Sequence, residues 1–453
     1  MELEQVSKEK EKVHRGIKRH IKRADSDMTS GSIWRLLITF ALPLAAGLLF
    51  QQLYNTVDTI VVGKFVGKEA LAAVGSTSSI INMLVGLCSG LSMGASVVIS
   101  QSYGAKDYVR LHDAVHTTIL VTIIMSVIAT GVGIAIVDPM LRMMSTPDDV
   151  FGAAHDYLTI YFAGISGLFI YNMGSAILRA VGDSRRPLYF LIFSAVLNVI
   201  LDLVFVIVFK MDIAGAAYAT IISQFLSAAL VLFVLTRSAG PYAIHWGHLC
   251  IKGSILKQVL SIGLPSGVQQ GLTSFSNVFV QSYVNAFGSD CMAGWSSYNK
   301  LDVYALVPAQ SIAMASTTFV GQNYGAGKYD RVKDAVHTAV MMTLVLSVAF
   351  TAIGIAMTPN MLRLMKTPAE VFPESRAYLN IYFSGMAGLM LYNMGAGILR
   401  AVGDSKRPFY YLVCAAVINT VLDLVFVIAF DMGVEGVAYA TIIAQGISAI
   451  LTM

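Results

Sequence analysis

Tyr171 to Pro187 reads YNMGSAILRAVGDSRRP, and Tyr392 to Pro408 reads YNMGAGILRAVGDSKRP. Fourteen of the seventeen positions are identical, at a spacing of 221 residues. The same spacing carries Asp113-Ala-Val-His-Thr117 onto Asp334-Ala-Val-His-Thr338, and Leu201-Asp-Leu-Val-Phe-Val-Ile207 onto Leu422-Asp-Leu-Val-Phe-Val-Ile428. The chain is one half built twice, and so long a period implies duplicated bundles rather than a solenoid of short units.

Hydrophobic residues make up 56% of the chain and charged residues 13%, with a mean hydropathy of +0.68. Water-soluble domains carry about 25% charged residues, so the composition is that of an integral membrane protein. Apolar runs of spanning length fall near 34–62, 70–99, 114–137, 153–178, 188–209 and 213–236, and again near 257–286, 292–320, 335–358, 377–399, 409–430 and 434–453. The fold class is therefore all-α, with twelve transmembrane helices in two six-helix repeats. Six is even, so both halves enter on one side and the repeats are parallel.

The expected organisation is a basic cytoplasmic tail at 1–33, a first lobe at 34–236, a cytoplasmic inter-lobe loop at 237–256 and a second lobe at 257–453. The tail carries Lys8, Lys10, Lys12, Arg15, Lys18, Arg19, Lys22 and Arg23, with no cleavable apolar segment behind it. The last span stops at Met453, about one turn short of its counterpart's end near Leu235, so a further C-terminal tail is expected. With the N-terminus inside, 23 Lys and Arg lie on inner segments and 7 on outer loops, and Lys300 lies within a span. That bias sets a cytoplasmic N-terminus in a cell membrane.

A carboxylate inside a span costs roughly 2.5–3.5 kcal/mol, so it needs a partner or a task. Asp58 lies on span 1 and Asp202 on span 5, with Asn198 one turn before Asp202 on the same face. Counting from the outer ends at about 1.5 Å per residue places Asp58 at roughly 9 Å, and Asp202, Thr220 and Tyr157 at roughly 12 Å. Four polar groups on four spans share one level in the first lobe. Oxygen ligands at one level suit a hard cation such as sodium, whereas two close carboxyls can share a proton. The second lobe repeats Asn419, Asp423, Thr441 and Tyr378, but Val280 stands where span 1 has Asp58. Coupling is therefore expected in the first lobe.

Gln269, Gln270, Gln281 and Asn285 give span 7 a polar side suited to a substrate cleft, and Lys300 and Asp302 on span 8 are further cleft candidates. Met93, Met173, Met314 and Met394 offer either a soft drug surface or ordinary packing. His116 and His337 read as structural, and His245 and His248 as loop residues. Cys88, Cys250, Cys291 and Cys414 show no ligand spacing, so neither a disulfide nor a metal site is assigned. Phosphate-loop, catalytic-triad, zinc and nucleic-acid signatures are missing from the sequence, which reads as neither an enzyme nor a nucleic-acid binder.

The twelve-span duplicated plan, the string Gln51-Gln-Leu-Tyr-Asn-Thr-Val-Asp58-Thr-Ile-Val-Val-Gly63, the two Arg-Ala-Val-Gly-Asp-Ser strings and Gln101-Ser-Tyr-Gly-Ala with its echo Gln322-Asn-Tyr-Gly-Ala resemble the multidrug and toxic compound extrusion (MATE) family. The likeness covers the chain after residue 33 and is nearest the branch named after DNA-damage-inducible protein F. It implies a V-shaped pair of lobes around a cleft and cation-coupled antiport of cationic or amphipathic compounds. In that branch the first-lobe site falls on Asp58, Asn198 and Asp202, with Tyr157 and Thr220 as companions. The sister branch's acids on spans 7 and 10 are missing here. The expected workings are neutralisation of the Asp58–Asp202 pair by H⁺ or Na⁺ and repacking of span 1 at Pro43, by a monomer with no cofactor beyond the coupling ion and with membrane lipid around it. A cleft with few fixed positive charges is part of that expectation. The alternative is a lipid-linked oligosaccharide flippase, for which added spans and several cleft arginines are expected, and the spans show none.

Overall fold

The repeated Arg-Ala-Val-Gly-Asp-Ser strings make the same turn twice. Gly182 and Gly403 adopt φ of +96° and +95°, the left-handed conformation that ends a helix at low cost only for glycine. The Asp183 and Asp404 amides close the turns onto the carbonyls of Leu178 and Leu399, each at 2.9 Å. Both carboxylates then receive the backbone N–H of Arg186 and Arg407 at 3.1 Å, and pair with the same arginines' guanidinium groups at 3.2 Å. Each string thus stops one span and starts the next.

A computed structural model describes residues 27–144, 146–286, 289–364 and 372–453, with the side chains of 273–305 and a few positions between 68 and 79 and at 434 left aside. Among these residues the chain is helical, with no strand. The first half comprises α1 (Ile33–Val61), α2 (Lys68–Gly104), α3 (Tyr108–Met143), α4 (Asp148–Ala180), α5 (Arg185–Leu203) and α6 (Asp212–Arg237). The second comprises α7 (Gly253–Ala286), α8 (Ser289–Gly325), α9 (Tyr329–Leu364), α10 (Phe372–Ser384), α11 (Met386–Ala401), α12 (Lys406–Leu424) and α13 (Gly433–Thr452). Large apolar side chains such as Val127, Ile128, Phe193, Val345, Val348 and Val417 stay exposed on α3, α5, α9 and α12, as a surface facing lipid requires.

One expected span is two helices. The run near 377–399 divides at Gly385, whose N–H reaches both the Ile381 and Tyr382 carbonyls, at 3.3 and 3.0 Å. A two-way bond of this kind interrupts regular helix without exposing an amide. Its counterpart Gly164 stays inside the unbroken α4. A second departure recurs three times: π-helical turns at Val62–Val66, Val204–Val208 and Val425–Ala429 follow the helices that carry Asp58, Asp202 and Asp423. Such turns gather at functional sites, and nothing in these valine-rich strings marks them in advance.

The halves meet through reciprocal contacts. Gln101 donates to the Ala401 carbonyl at 2.7 Å, and Gln322, its equivalent 221 residues on, donates to the Ala180 carbonyl at 2.9 Å. Gly104 packs on the backbone of Gln322 and Gly325 on that of Gln101, so closely that a Cβ at either would strike the opposite chain. The pseudo-two-fold axis passes between these two pairs. The N-terminal part of α1 also crosses the boundary. Met28, Leu37, Phe40 and Leu44 share a core with Ile312, Phe319 and Met394 of the second half. Met28 is held by Asn323 and Arg331, which donate to its carbonyl, and Lys328 donates to the Thr29 carbonyl.

Candidate functional site

Asp58, Asn198, Asp202, Thr220 and Tyr157 come together in the first half. They project from α1, α5, α6 and α4, and none is more than 8% exposed. The Asn198 amide is oriented by its partners: its nitrogen donates to Asp202 Oδ2 at 2.9 Å and its oxygen accepts from the Thr220 N–H at 3.2 Å. The Asp58 and Asp202 carboxyls lie near enough to interact directly. The second oxygen of each, Oδ1, is buried without a partner. No cation pairs with either acid among the described residues. Two acids on different helices therefore face each other, ringed by neutral oxygens.

Three members escaped the sequence reading. Tyr54, one turn before Asp58, donates to Thr220 Oγ1 at 3.4 Å. Tyr161, one turn after Tyr157, stacks on it at 6.4 Å. Gln224 stands one turn after Thr220 and lines the same cavity. The i,i+4 spacing from a residue already chosen was the signal available for each. Ser194 of α5 adds a bond to the Ser223 carbonyl at 2.8 Å and a close contact with Ser227, locking α5 to α6.

The second lobe holds a looser copy. The Asn419 amide and Thr441 hydroxyl lie 3.5 Å apart, as the Asn198 amide and Thr220 hydroxyl do. Tyr378 is buried, but Asn419, Asp423 and Thr441 are only half-buried. The side chains of Val280, Gln281, Asn285, Lys300 and Asp302 lie outside the described residues.

A cavity of about 620 Å³ opens beside the acid pair and is bordered by both halves. Pro43, Asp58, Gln269 and Gln270 line it. Of the four methionines, Met93 and Met314 line it too, while Met173 and Met394 sit in the cores. Gln269 donates to the Tyr392 hydroxyl at 2.8 Å and accepts from Arg400 at 3.3 Å. The expectation that the spans bring no arginine to the cleft fails here: Arg179 and Arg400 both border the cavity. Each stands just before its glycine turn, so the turn that reads as a loop signal in sequence delivers a guanidinium to the cleft. Tyr157 and Arg179 are 22 residues apart on α4, or roughly 33 Å of helix rise, so acids and guanidiniums mark opposite ends.

A duplicated helical membrane bundle, closed at one end by reciprocal contacts and hollow between its halves, is the architecture of a transporter. Comparison with known proteins agrees. The MatE family model matches residues 43–204 and 265–425. The chain is 30% identical over 346 residues to the probable multidrug resistance protein YoeA of Bacillus subtilis, covering 75% of each chain. It is 31% identical over 311 residues to the probable multidrug resistance protein YpnP of the same organism, covering 68% of each. Among solved structures, a MATE in complex with MaL6 superposes with a TM-score of 0.88 at 24% identity, covering 94% of this chain and 95% of that one. The chain belongs to the MATE family of multidrug efflux transporters.

Proposed function

We propose that this protein is a plasma-membrane antiporter that exports cationic or amphipathic organic compounds in exchange for protons, with Asp58 and Asp202 as the coupling centre. The observation that carries the reading is the proximity of two buried carboxyls with no cation beside them among the described residues. An ionised carboxylate only accepts hydrogen bonds, so two such groups can bond to each other only while the pair holds a proton. Burying both as anions is prohibitive. A proton arriving from the outer side closes the pair, and its departure leaves a negative site that attracts a cationic group.

Sodium is the second reading, favoured by the neutral oxygens of Asn198, Thr220 and Tyr157 around the acids. The proton is preferred because two neighbouring buried acids share one proton far more readily than they both ionise. The positive-inside bias assigns the closed end to the cytoplasm, which makes this an outward-facing state. The guanidiniums then repel a substrate's cationic group at the cytoplasmic end, while the acids attract it near the outer end. Coupling requires that ion and substrate favour different states. The two cavity arginines also favour an anionic headgroup, as the flippase reading expects; competition by an anionic lipid separates the two. Vesicles holding purified protein and a fluorescent cationic dye test the proposal. Dye efflux should discharge a preset proton gradient, and efflux that leaves the gradient untouched would overturn it.

A further inference from the structure

The segment that joins the halves returns to α3 at four histidines. His112 and His116 stand one turn apart on α3, their rings stacked at 3.9 Å. The ring of His245 lies 5.9 Å from that of His112 and 6.1 Å from that of His116. His248 lies 5.8 Å from His112 and 5.9 Å from His245. One ring nitrogen each from His112, His116 and His245 falls within 4.8 Å of the other two. The segment is stitched down beside them, since Thr117 donates to the Cys250 carbonyl and accepts from the Lys252 N–H, both at 3.1 Å.

His116 is fully buried and its tautomer is fixed by its neighbours. Nδ1 lies 2.7 Å from the His112 carbonyl, which can only accept. Nε2 lies 2.9 Å from the His245 backbone N–H, which can only donate. The proton is therefore on Nδ1, and the lone pair of Nε2, which takes the His245 N–H, becomes available to an ion once that bond is released. A ring N–H bound to a carbonyl is the arrangement that orients a metal-ligating histidine. His245 and His248 are exposed and His112 half-exposed, so an ion has a path from solvent. Asp113 lies 3.9 Å from His112 and 3.8 Å from Lys252, whose charge it offsets.

We propose that His112, His116, His245 and His248 bind a borderline divalent cation of the zinc class, fastening the inter-lobe segment to the first lobe. All-imidazole donors suit zinc, nickel and copper rather than magnesium or calcium. Nitrogens on a tetrahedral zinc at about 2.0–2.1 Å lie roughly 3.3 Å apart. The 4.8 Å spread among His112, His116 and His245 closes by rotation of the half-exposed His112 ring and the exposed His245 ring toward the buried His116. The His245 N–H released in that step lies in an exposed turn, where water replaces the lost acceptor. Duplication does not force the cluster: His337 echoes His116, but Lys333 stands where the first lobe has His112.

The test uses the full-length protein without a histidine tag, in lipid nanodiscs, dialysed against micromolar Zn²⁺ with the bound metal counted by mass spectrometry. About one zinc per chain is expected, with a tetrahedral visible spectrum when Co²⁺ is substituted. His245→Ala with His248→Ala, both in the exposed loop, should weaken binding at least about tenfold, and His337→Ala and His155→Ala should leave it unchanged. His116→Ala is avoided because the buried ring also pins the fold. Negligible zinc in the unmodified protein, or full affinity in the double loop variant, would overturn the site.

Discussion

Gly104→Ala acts on the contact between the halves rather than on any charge. An added Cβ would lie 2.6 Å from the Gln322 carbonyl carbon and 2.7 Å from its Cα, against a floor near 3.0 Å for real contacts. The obstacle is backbone, so relief requires α2 and α8 to part by on the order of 1 Å. The bonds from Gln101 to Ala401 and from Gln322 to Ala180, at 2.7 and 2.9 Å, then stretch beyond useful range. Each is worth about 1 kcal/mol net, so their loss costs the closed end about 2 kcal/mol. At 1.4 kcal/mol per factor of ten, that is about a 30-fold shift toward the state in which this end is open. Spin labels on the two lobes, read by pulsed electron paramagnetic resonance in nanodiscs without a gradient, report the distance distribution. The long-distance population at this end should grow by about that factor. Gly325→Ala meets the mirror-image obstacle and should match it, with the double variant less than additive because both strain one contact. An unchanged distribution in a variant that melts normally would refute the reasoning.

Three further outcomes follow from the acid pair. Asp58→Asn should reduce gradient-driven dye efflux to the protein-free baseline while expression and melting hold, because the amide keeps the shape and removes the exchangeable proton; wild-type efflux at every pH and sodium level refutes this. Asp202→Asn should be as severe, whereas Asp423→Asn, with Val280 at the position equivalent to Asp58, should cost less than about threefold in rate at matched expression; equal losses would mean the site is misplaced. Thr220→Ala removes the acceptor of the Tyr54 hydroxyl and should cost about 1 kcal/mol of stability. With a proton as the coupling ion it should displace the pH profile of efflux, and sodium-stimulated efflux at clamped pH that vanishes in this variant would reverse the choice of ion.

The duplication made the bundle legible, because identical strings 221 residues apart must fold alike. The acid pair was legible for another reason: Asp58 and Asp202 are too costly in a span to be incidental, and counting from the loop ends placed them at one level. Spacing from the ends says nothing about which way a residue faces, which is why Arg179 and Arg400 read as inner-end charges rather than cavity wall. The histidine cluster was hidden for a similar reason. His116 and His245 are 129 residues apart, and a loop's landing point has no periodic signal to betray it. The break at Gly385 goes with a two-way amide bond, while its twin Gly164 stays within unbroken helix, so sequence likeness alone argued for the wrong outcome there.

The first described residues of the chain bear on the motion of α1. Met28 and Thr29 are roped to Asn323, Lys328 and Arg331, and the helix behind them is bedded in the second half as far as Leu44. Beyond Pro43 the same helix runs on to Asp58, whose partners all belong to the first half. One helix is thus clamped at its start by one lobe and engaged near its far end by the other, with a proline at the boundary where a backbone bond is missing. On the proposed reading, any parting of the lobes would load that helix in traction, with the slack taken up at Pro43. Proton occupancy at the far end and lobe position at the near end would then pull on a single rod.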